Sequence, residues 1–321
     1  MGIKNFYKFV EKYSTVKQCS INDFENKILL VDGNMMIYKN IMAIRKNGYD
    51  IMKNGKSVTH IHSMLNKLLN FRKYNITPIF VFDGKPPNIK NDELKKRDLI
   101  KTDMKNKYLN AKNDIEKKKY FYYNFDVSDK EIKESIQLIK IFGYKIINSD
   151  TEADITLAQL SKSLNKDIAG VITDDFDILI FGGKTILKNF SVCKKFLQID
   201  LKIIKKDTKF NQNMLITLSL LLGSDYAPSI KGIGPVKGYE LVSKYKNLDQ
   251  LYNNNIIDEK NYYLLKKGYN FFKNNNLKPK NNHIEQKKIK KQIIVKNITT
   301  FLKKYNYSQD KIDDICNNIV K

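Results

Sequence analysis

The chain has 321 residues, of which 42% are hydrophobic, enough to bury one large core or two small ones and too many for a disordered chain. Lys and Arg number 58 against 34 Asp and Glu, a net charge of +24, and a field of that size draws polyanions, nucleic acid first among them. Cys19, Cys193 and Cys316 lie far apart without paired spacing, which excludes a disulfide framework or zinc ribbon. No apolar run nears the ~20 residues that span a bilayer, and no signal pattern opens the chain. A Lys/Asn/Ile-rich composition also fits an A·T-rich coding genome, so charge alone leaves nucleic-acid binding only somewhat favoured.

Taken in order, Phe6, Phe9, Val10 and Tyr13 pattern a short helix, and Lys27 to Asp32 reads as a strand buried on both faces, as in a parallel sheet. Helices are expected over 34–46 and about 57–74, followed by a second buried strand, Pro78 to Asp83. This is βαβ grammar, and both strands end in aspartate. His60 and His62, without cysteines or another His pair beside them, read as packing or surface residues rather than zinc ligands.

After Gly84-Lys-Pro-Pro87 comes a lysine-rich polar stretch, about 88–130, with a weak apolar stripe and an aromatic patch, Tyr120 to Phe125. It reads as an excursion from the sheet. Ser128 restarts a helix, a strand follows at Tyr144 to Asn148, and Glu152 and Asp154 come at once. A helix over 153–164 and a strand from Ile168 to Thr173 lead into Asp174, Asp175 and Asp177, with Ile178 to Phe181 returning the chain to the core. Short strands are expected near 185–190 and 195–199, an apolar helix from Met214 to Leu222 ends in Gly223-Ser-Asp225, and Gly232-Ile-Gly-Pro235 makes a tight turn with Pro suited to a first helical turn. The stretch 254–295 is polar and weakly patterned, and Phe301 to Val320 reads as a last pair of short helices.

Asp32, Asp83, Glu152, Asp154, Asp175 and Asp177 thus all fall at or beyond the carboxyl end of an expected strand, the edge where open parallel sheets assemble sites. Convergent carboxylates are the ligands hard divalent cations require, and two such ions suit phosphodiester hydrolysis. Asp225 is a seventh candidate. Singly, each acid also fits a turn or cap: Glu152 could pair with Ser149 in a capping box, and Asp174 is left outside the site as a turn residue. Jointly, such roles do not explain why these buried strands end in acid in so basic a chain.

Val31-Asp-Gly-Asn-Met-Met-Ile-Tyr38, Val81-Phe-Asp-Gly-Lys-Pro-Pro87, Glu152-Ala-Asp154, Thr173-Asp-Asp-Phe-Asp177 and Gly223-Ser-Asp-Tyr226 with Gly232-Ile-Gly-Pro235 closely resemble the motifs of the flap endonucleases, XPG-type structure-specific 5′ nucleases. The resemblance covers residues 1–265 and faintly resumes at the end. It implies a PIN-like α/β fold with a central, mostly parallel sheet flanked by helices: a nuclease domain over 1–265 containing a helical arch at about 88–130 and a helix-two-turn-helix module at about 214–250, then a basic extension over 266–321 with terminal helices.

The same resemblance implies two Mg²⁺, replaceable by Mn²⁺, on Asp32, Asp83, Glu152, Asp154, Asp175, Asp177 and Asp225, with Lys90 and Arg97 on the scissile phosphate. Residues seven apart share a helical face, which supports that pair, although on spacing alone Lys90 fits equally a solvated lysine. Gly2, Tyr38, Arg45, Lys231, Gly232, Gly234 and Lys237 are implied to contact DNA, Tyr38 by stacking on a base and Arg45 by steering the 5′ strand, and Ser229 to help hold K⁺ at the turn. Tyr38 fits equally a helix-face tyrosine partly packed in the core.

The expected partner is branched or 5′-flap DNA, with no membrane role, and a monomer is expected. Asp154, where relatives commonly carry glutamate, leans toward the related 5′→3′ exonucleases, and an inactive DNA-binding accessory protein is the alternative from another class. No clamp-binding tail pattern is visible, which argues against sliding-clamp recruitment. The expected location is the nucleus, or a cytoplasmic replication site for a viral source.

Overall fold

The computed structural model describes residues 2–124, 127–162, 168–277 and 289–320, and of residues 119 and 121–124 the backbone alone. In chain order the first elements are α1 (Phe6–Tyr13), β1 (Lys17–Cys19), β2 (Ile28–Asp32), α2 (Gly33–Arg45), a hairpin of β3 (Met52–Lys53) and β4 (Lys56–Ser57), α3 (Thr59–Lys73) and β5 (Thr77–Phe82). Then come α4 (Asn91–Leu109), α5 (Asp114–Asn124), α6 (Asp129–Ile141), β6 (Lys145–Asn148), α7 (Ala153–Ser161), β7 (Ile168–Ile172), α8 (Asp177–Ile180), β8 (Thr185–Lys188) and β9 (Phe196–Asp200). The remainder is helical: α9 (Leu201–Thr208), α10 (Gln212–Leu222), α11 (Pro235–Tyr245), α12 (Leu248–Asn253), α13 (Glu259–Asn274), α14 (Lys291–Lys304) and α15 (Gln309–Val320). No helix among the described residues is long and apolar enough to cross a membrane.

Two compact units interleave along the chain. One comprises Met1–Asp23, Asp83–Glu93 and Asn148–Asn282, and the other Phe24–Phe82, Leu94–Ile147 and His283–Lys321. Neither divides at residue 265, because α13 runs straight across that position.

In the first unit β7 and β8 pair in parallel, and β9 and then β1 extend them antiparallel. α10 packs at its centre and is buried along nearly its whole length, with Asn211 capping its start by accepting from the Met214 N–H at 3.0 Å. α13 lies against it where Gly268 meets Leu220, an approach that leaves no room for a side chain. α13 corrects the reading of 254–295 as weakly patterned: Leu265, Gly268 and Phe272 are its buried positions, at spacings of three and four that its many asparagines and lysines masked.

In the second unit β2 and β5 pair in parallel through the crossover formed by α2 and α3, the expected βαβ unit. Leu29, Leu30, Val31, Ile79, Phe80 and Val81 are fully buried there, as a strand covered on both faces requires. α6 starts at Ser128 with a complete capping box, Ser128 and Glu131 each satisfying the other's backbone N–H. α14 begins ten residues before the expected Phe301, and it packs with α15 against α6 and α3.

The excursion at 88–130 is helical. α4 buries none of its residues, and Leu99, Ile100, Leu109 and Ile115 are exposed along α4 and α5. Of the aromatic patch, Phe125 and the side chains of 121–124 lie outside the described residues.

Candidate metal centre

Six expected ligands fall within the first unit: Asp83, Glu152, Asp154, Asp175, Asp177 and Asp225. One carboxylate oxygen from each of Asp154, Asp175 and Asp177 lies within 4.8 Å of the others. Each acid follows from a local device. Asp175 and Asp177 leave β7 in a tight turn, where the Asp175 N–H donates to Thr173 Oγ1 at 3.1 Å and the Asp177 N–H to Asp175 Oδ1 at 3.0 Å. Asp83 accepts from the Ala153 N–H at 2.8 Å, and so braces the start of α7, whose first turn carries Asp154. Gly84 makes this possible, since a Cβ there would overlap the carbonyl oxygen of Ser149.

Electrostatics single out Asp177. It is fully buried, and neither of its carboxylate oxygens has a hydrogen-bond partner among the described residues. Burial pushes its carboxyl well above the usual carboxylate range, and the charges on Asp175 and Asp225 push the same way. Asp175 is also raised, by burial first and then by Asp225, against the Asp177 N–H that favours its ionised form. A buried carboxylate such as that of Asp177, without a donor among the described residues, is what a hard cation would satisfy, and the all-oxygen set around it fits divalent metal.

Lys90 brings a positive charge to the acids. Its ammonium bonds Glu152 Oε1 and lies 3.3 Å from Asp225 Oδ2. Burial alone would lower its pKa, but Glu152, Asp225 and Asp154 override it and hold the lysine above its ordinary value. Of the two readings of Lys90, the solvated one is corrected. It ends a 3₁₀ turn, Asn88–Lys90, instead of standing on α4 with Arg97, so their spacing does not give them one helical face. Arg97 is half-buried on α4.

Other expected positions fall as follows. Gly2, at φ +72°, sits against Asp175, where any side chain would overlap Oδ1. Asp32 ends β2 in the second unit and caps α2 by accepting from the Met35 N–H at 3.0 Å. Tyr38 is 43% exposed on the same helix. Arg45, expected to steer the 5′ strand, is 3% exposed, its guanidinium bonding Asp50 at 2.9 Å and Glu131 at 2.6 Å.

Lys231, Gly232, Lys237 and Ser229 are exposed around the turn, and Gly234 caps α11 with Pro235 at its first position. Glu152 makes no capping bond, so the capping box with Ser149 does not form. Asp174 is a turn residue as expected, accepting from the Asn189 N–H at 2.8 Å. Tyr226 had no role in the sequence reading beyond its place after Asp225. Its O–H donates to Glu152 Oε2.

Residues 1–104 match the XPG N-terminal domain and residues 143–225 the XPG I-region. Flap endonuclease 1 of Theileria parva is 30% identical over 335 residues, covering 100% of this chain and 66% of that protein. Flap endonuclease 1 of Caenorhabditis elegans is 29% identical over 82% of this chain and 70% of its own length. The chain therefore spans about two thirds of the length of these relatives.

Among solved structures, the flap endonuclease-1 from Methanococcus jannaschii superposes with a TM-score of 0.71 at 21% identity, covering 97% of this chain and 96% of that one. The catalytic core of Rad2 in complex with DNA substrate superposes with a TM-score of 0.70 at 24% identity, covering 99% and 100%. These likenesses establish the fold as the expected PIN-like α/β class. The chain belongs to the XPG-type family of structure-specific 5′ nucleases.

Proposed function

We propose that this chain is a divalent-metal-dependent flap endonuclease, hydrolysing a DNA phosphodiester near a single-strand/duplex junction to leave a 5′-phosphate and a 3′-hydroxyl. The observation that carries the reading is the buried carboxylate of Asp177, which has no hydrogen-bond partner among the described residues and has an oxygen within 4.8 Å of one from each of Asp154 and Asp175. Asp83, Glu152, Asp154, Asp175, Asp177 and Asp225 would hold two Mg²⁺, or Mn²⁺ in their place. When bound, such ions activate water and stabilise charge on the leaving oxygen.

The chain's own groups do the rest. The Ala153 N–H fixes Asp83, and the Asp177 N–H fixes Asp175, so both carboxylates are oriented before substrate arrives. Lys90 supplies a held positive charge at the rim of the acids, suited to phosphoryl oxygens gaining charge in the transition state. Lys231 and Lys237, flanking Gly232 and Gly234, suit a duplex phosphate at the start of α11, with K⁺ near Ser229. Backbone contacts of this kind select DNA shape over sequence, which fits branched or flapped DNA.

Labelled 5′-flap, gapped and blunt duplexes in Mg²⁺ provide the test. Flap-length products that vanish in an Asp175→Ala variant are expected. Mononucleotide products would make the chain a 5′→3′ exonuclease, and tight binding of branched DNA without cleavage in Mg²⁺ or Mn²⁺ would make it an accessory protein.

A further inference from the structure

Glu152 is held at both oxygens. Lys90 takes Oε1, and the buried Tyr226 hydroxyl takes Oε2. Tyr226 is itself held by rings: Phe271 stacks on it at 4.7 Å between centroids, and Phe272 and Phe181 meet it edge-on at 4.8 and 6.0 Å. The Lys90 ammonium also lies 5.2 Å from the centre of the Tyr226 ring, so one aromatic side chain touches both partners of the Lys90–Glu152 pair. Phe271 and Phe272 belong to α13, outside both segments that match the family. Their rings carry the tyrosine from a helix that offers no acid of its own to the site.

We infer that Tyr226 is a positioning residue: its hydroxyl fixes Glu152 Oε2 and so orients the carboxylate whose Oε1 bonds Lys90 and which would help hold a divalent cation. A carboxylate free to rotate offers either oxygen or both, and loses geometry and affinity. A carboxylate pinned at one oxygen presents the other in one place. The aromatic clamp gives the hydroxyl its fixed position, because a phenol has no freedom beyond the rotation of its ring. Phe at position 226 would keep the same ring contacts, so the hydroxyl is the part the packing does not explain.

The inference rests on the proposed nuclease reading, and its test separates the two. Tyr226→Phe removes the hydroxyl and keeps the ring. Titrating Mn²⁺ into the full chain without DNA, followed by electron paramagnetic resonance, should show at least threefold weaker binding in the variant, with Tm unchanged within error. With 5′-flap DNA, kcat should fall about tenfold at unchanged KM. Phe271→Leu weakens the packing and keeps the hydroxyl, and should lower Tm while leaving kcat within twofold at matched folded fraction. Wild-type Mn²⁺ affinity in Tyr226→Phe, or an equal loss of kcat in both variants, would overturn the inference. If the wild-type chain cleaves nothing, the nuclease reading fails alone, and the Mn²⁺ titration still decides the role of Tyr226.

Discussion

The backbone of Gly2 lies against the carboxylate of Asp175 in a left-handed conformation, φ +72°, with no space between them for a Cβ. Gly2→Ala adds backbone strain and a collision with a residue of the metal cluster. Displacing reacting groups by about 1 Å costs on the order of 10²-fold. Flap cleavage by Gly2→Ala should therefore fall at least tenfold, with little change in Tm, in a steady-state assay. Wild-type kcat in this variant would show that the contact has no functional weight.

Asp177→Asn keeps the shape of the side chain and removes a buried acid whose ionised form burial, Asp175 and Asp225 all disfavour. Without metal the variant should be more stable than the parent, by on the order of 1–3 kcal/mol. With metal it should be inactive, and the upward Tm shift expected of the parent in Mg²⁺ should shrink. Differential scanning calorimetry with and without Mg²⁺ reads both, and a variant less stable than the parent without metal counts against an unpaired buried acid.

Lys90→Met removes the ammonium that bonds Glu152 and lies against Asp225. Loss of one preorganised charge at a transition state lowers rates by about 10²–10³. Single-turnover cleavage should fall by that much while flap affinity, measured in Ca²⁺, changes less than threefold. A variant that loses affinity instead of rate would make Lys90 a binding group.

Arg45 bridges Asp50, in the loop between α2 and β3, and Glu131, in the first turn of α6. Removing one partner from a buried ion pair costs about 3–5 kcal/mol, mostly from the charges left behind. Arg45→Met should lower urea or thermal stability by that order. If stability holds and DNA affinity drops, Arg45 contacts DNA after all.

His60 is buried on α3 and bonds Glu134 through Nε2 at 2.7 Å, while Nδ1 is buried without a hydrogen-bond partner. Burial pushes its pKa below the usual imidazole value, against the pull of Glu134 and Glu131. The unfolded chain therefore binds a proton near pH 6.5 that the folded chain takes up only at lower pH. The stability this group confers is full above about pH 6.5 and is lost as pH falls toward the lowered folded value. Thermal melts from pH 8 to 5 should show that loss, and His60→Gln should flatten it.

The strands were legible because burial on both faces leaves a continuous apolar run, as in Leu29–Val31 and Ile79–Val81, and an aspartate after such a run is conspicuous. α13 was not legible, because it buries only a narrow stripe amid Asn and Lys. The burial of Arg45 was not legible either, because sequence shows that a residue is charged and on a helix, but not that Asp50 and Glu131 close around it. Lys90 was left between two readings for the same reason. Its burial depends on Glu152 and Asp225, far away along the chain.

The sequence by itself determined the acids, their order after strand and helix ends, and the family they belong to, because strand burial and metal ligation both constrain residue type at short range. Tertiary structure alone decided which oxygens lack partners, that Gly2 abuts Asp175, and that Tyr226 and α13 stand behind Glu152. Those are contacts between residues tens to more than a hundred positions apart, and no periodicity along the chain encodes them.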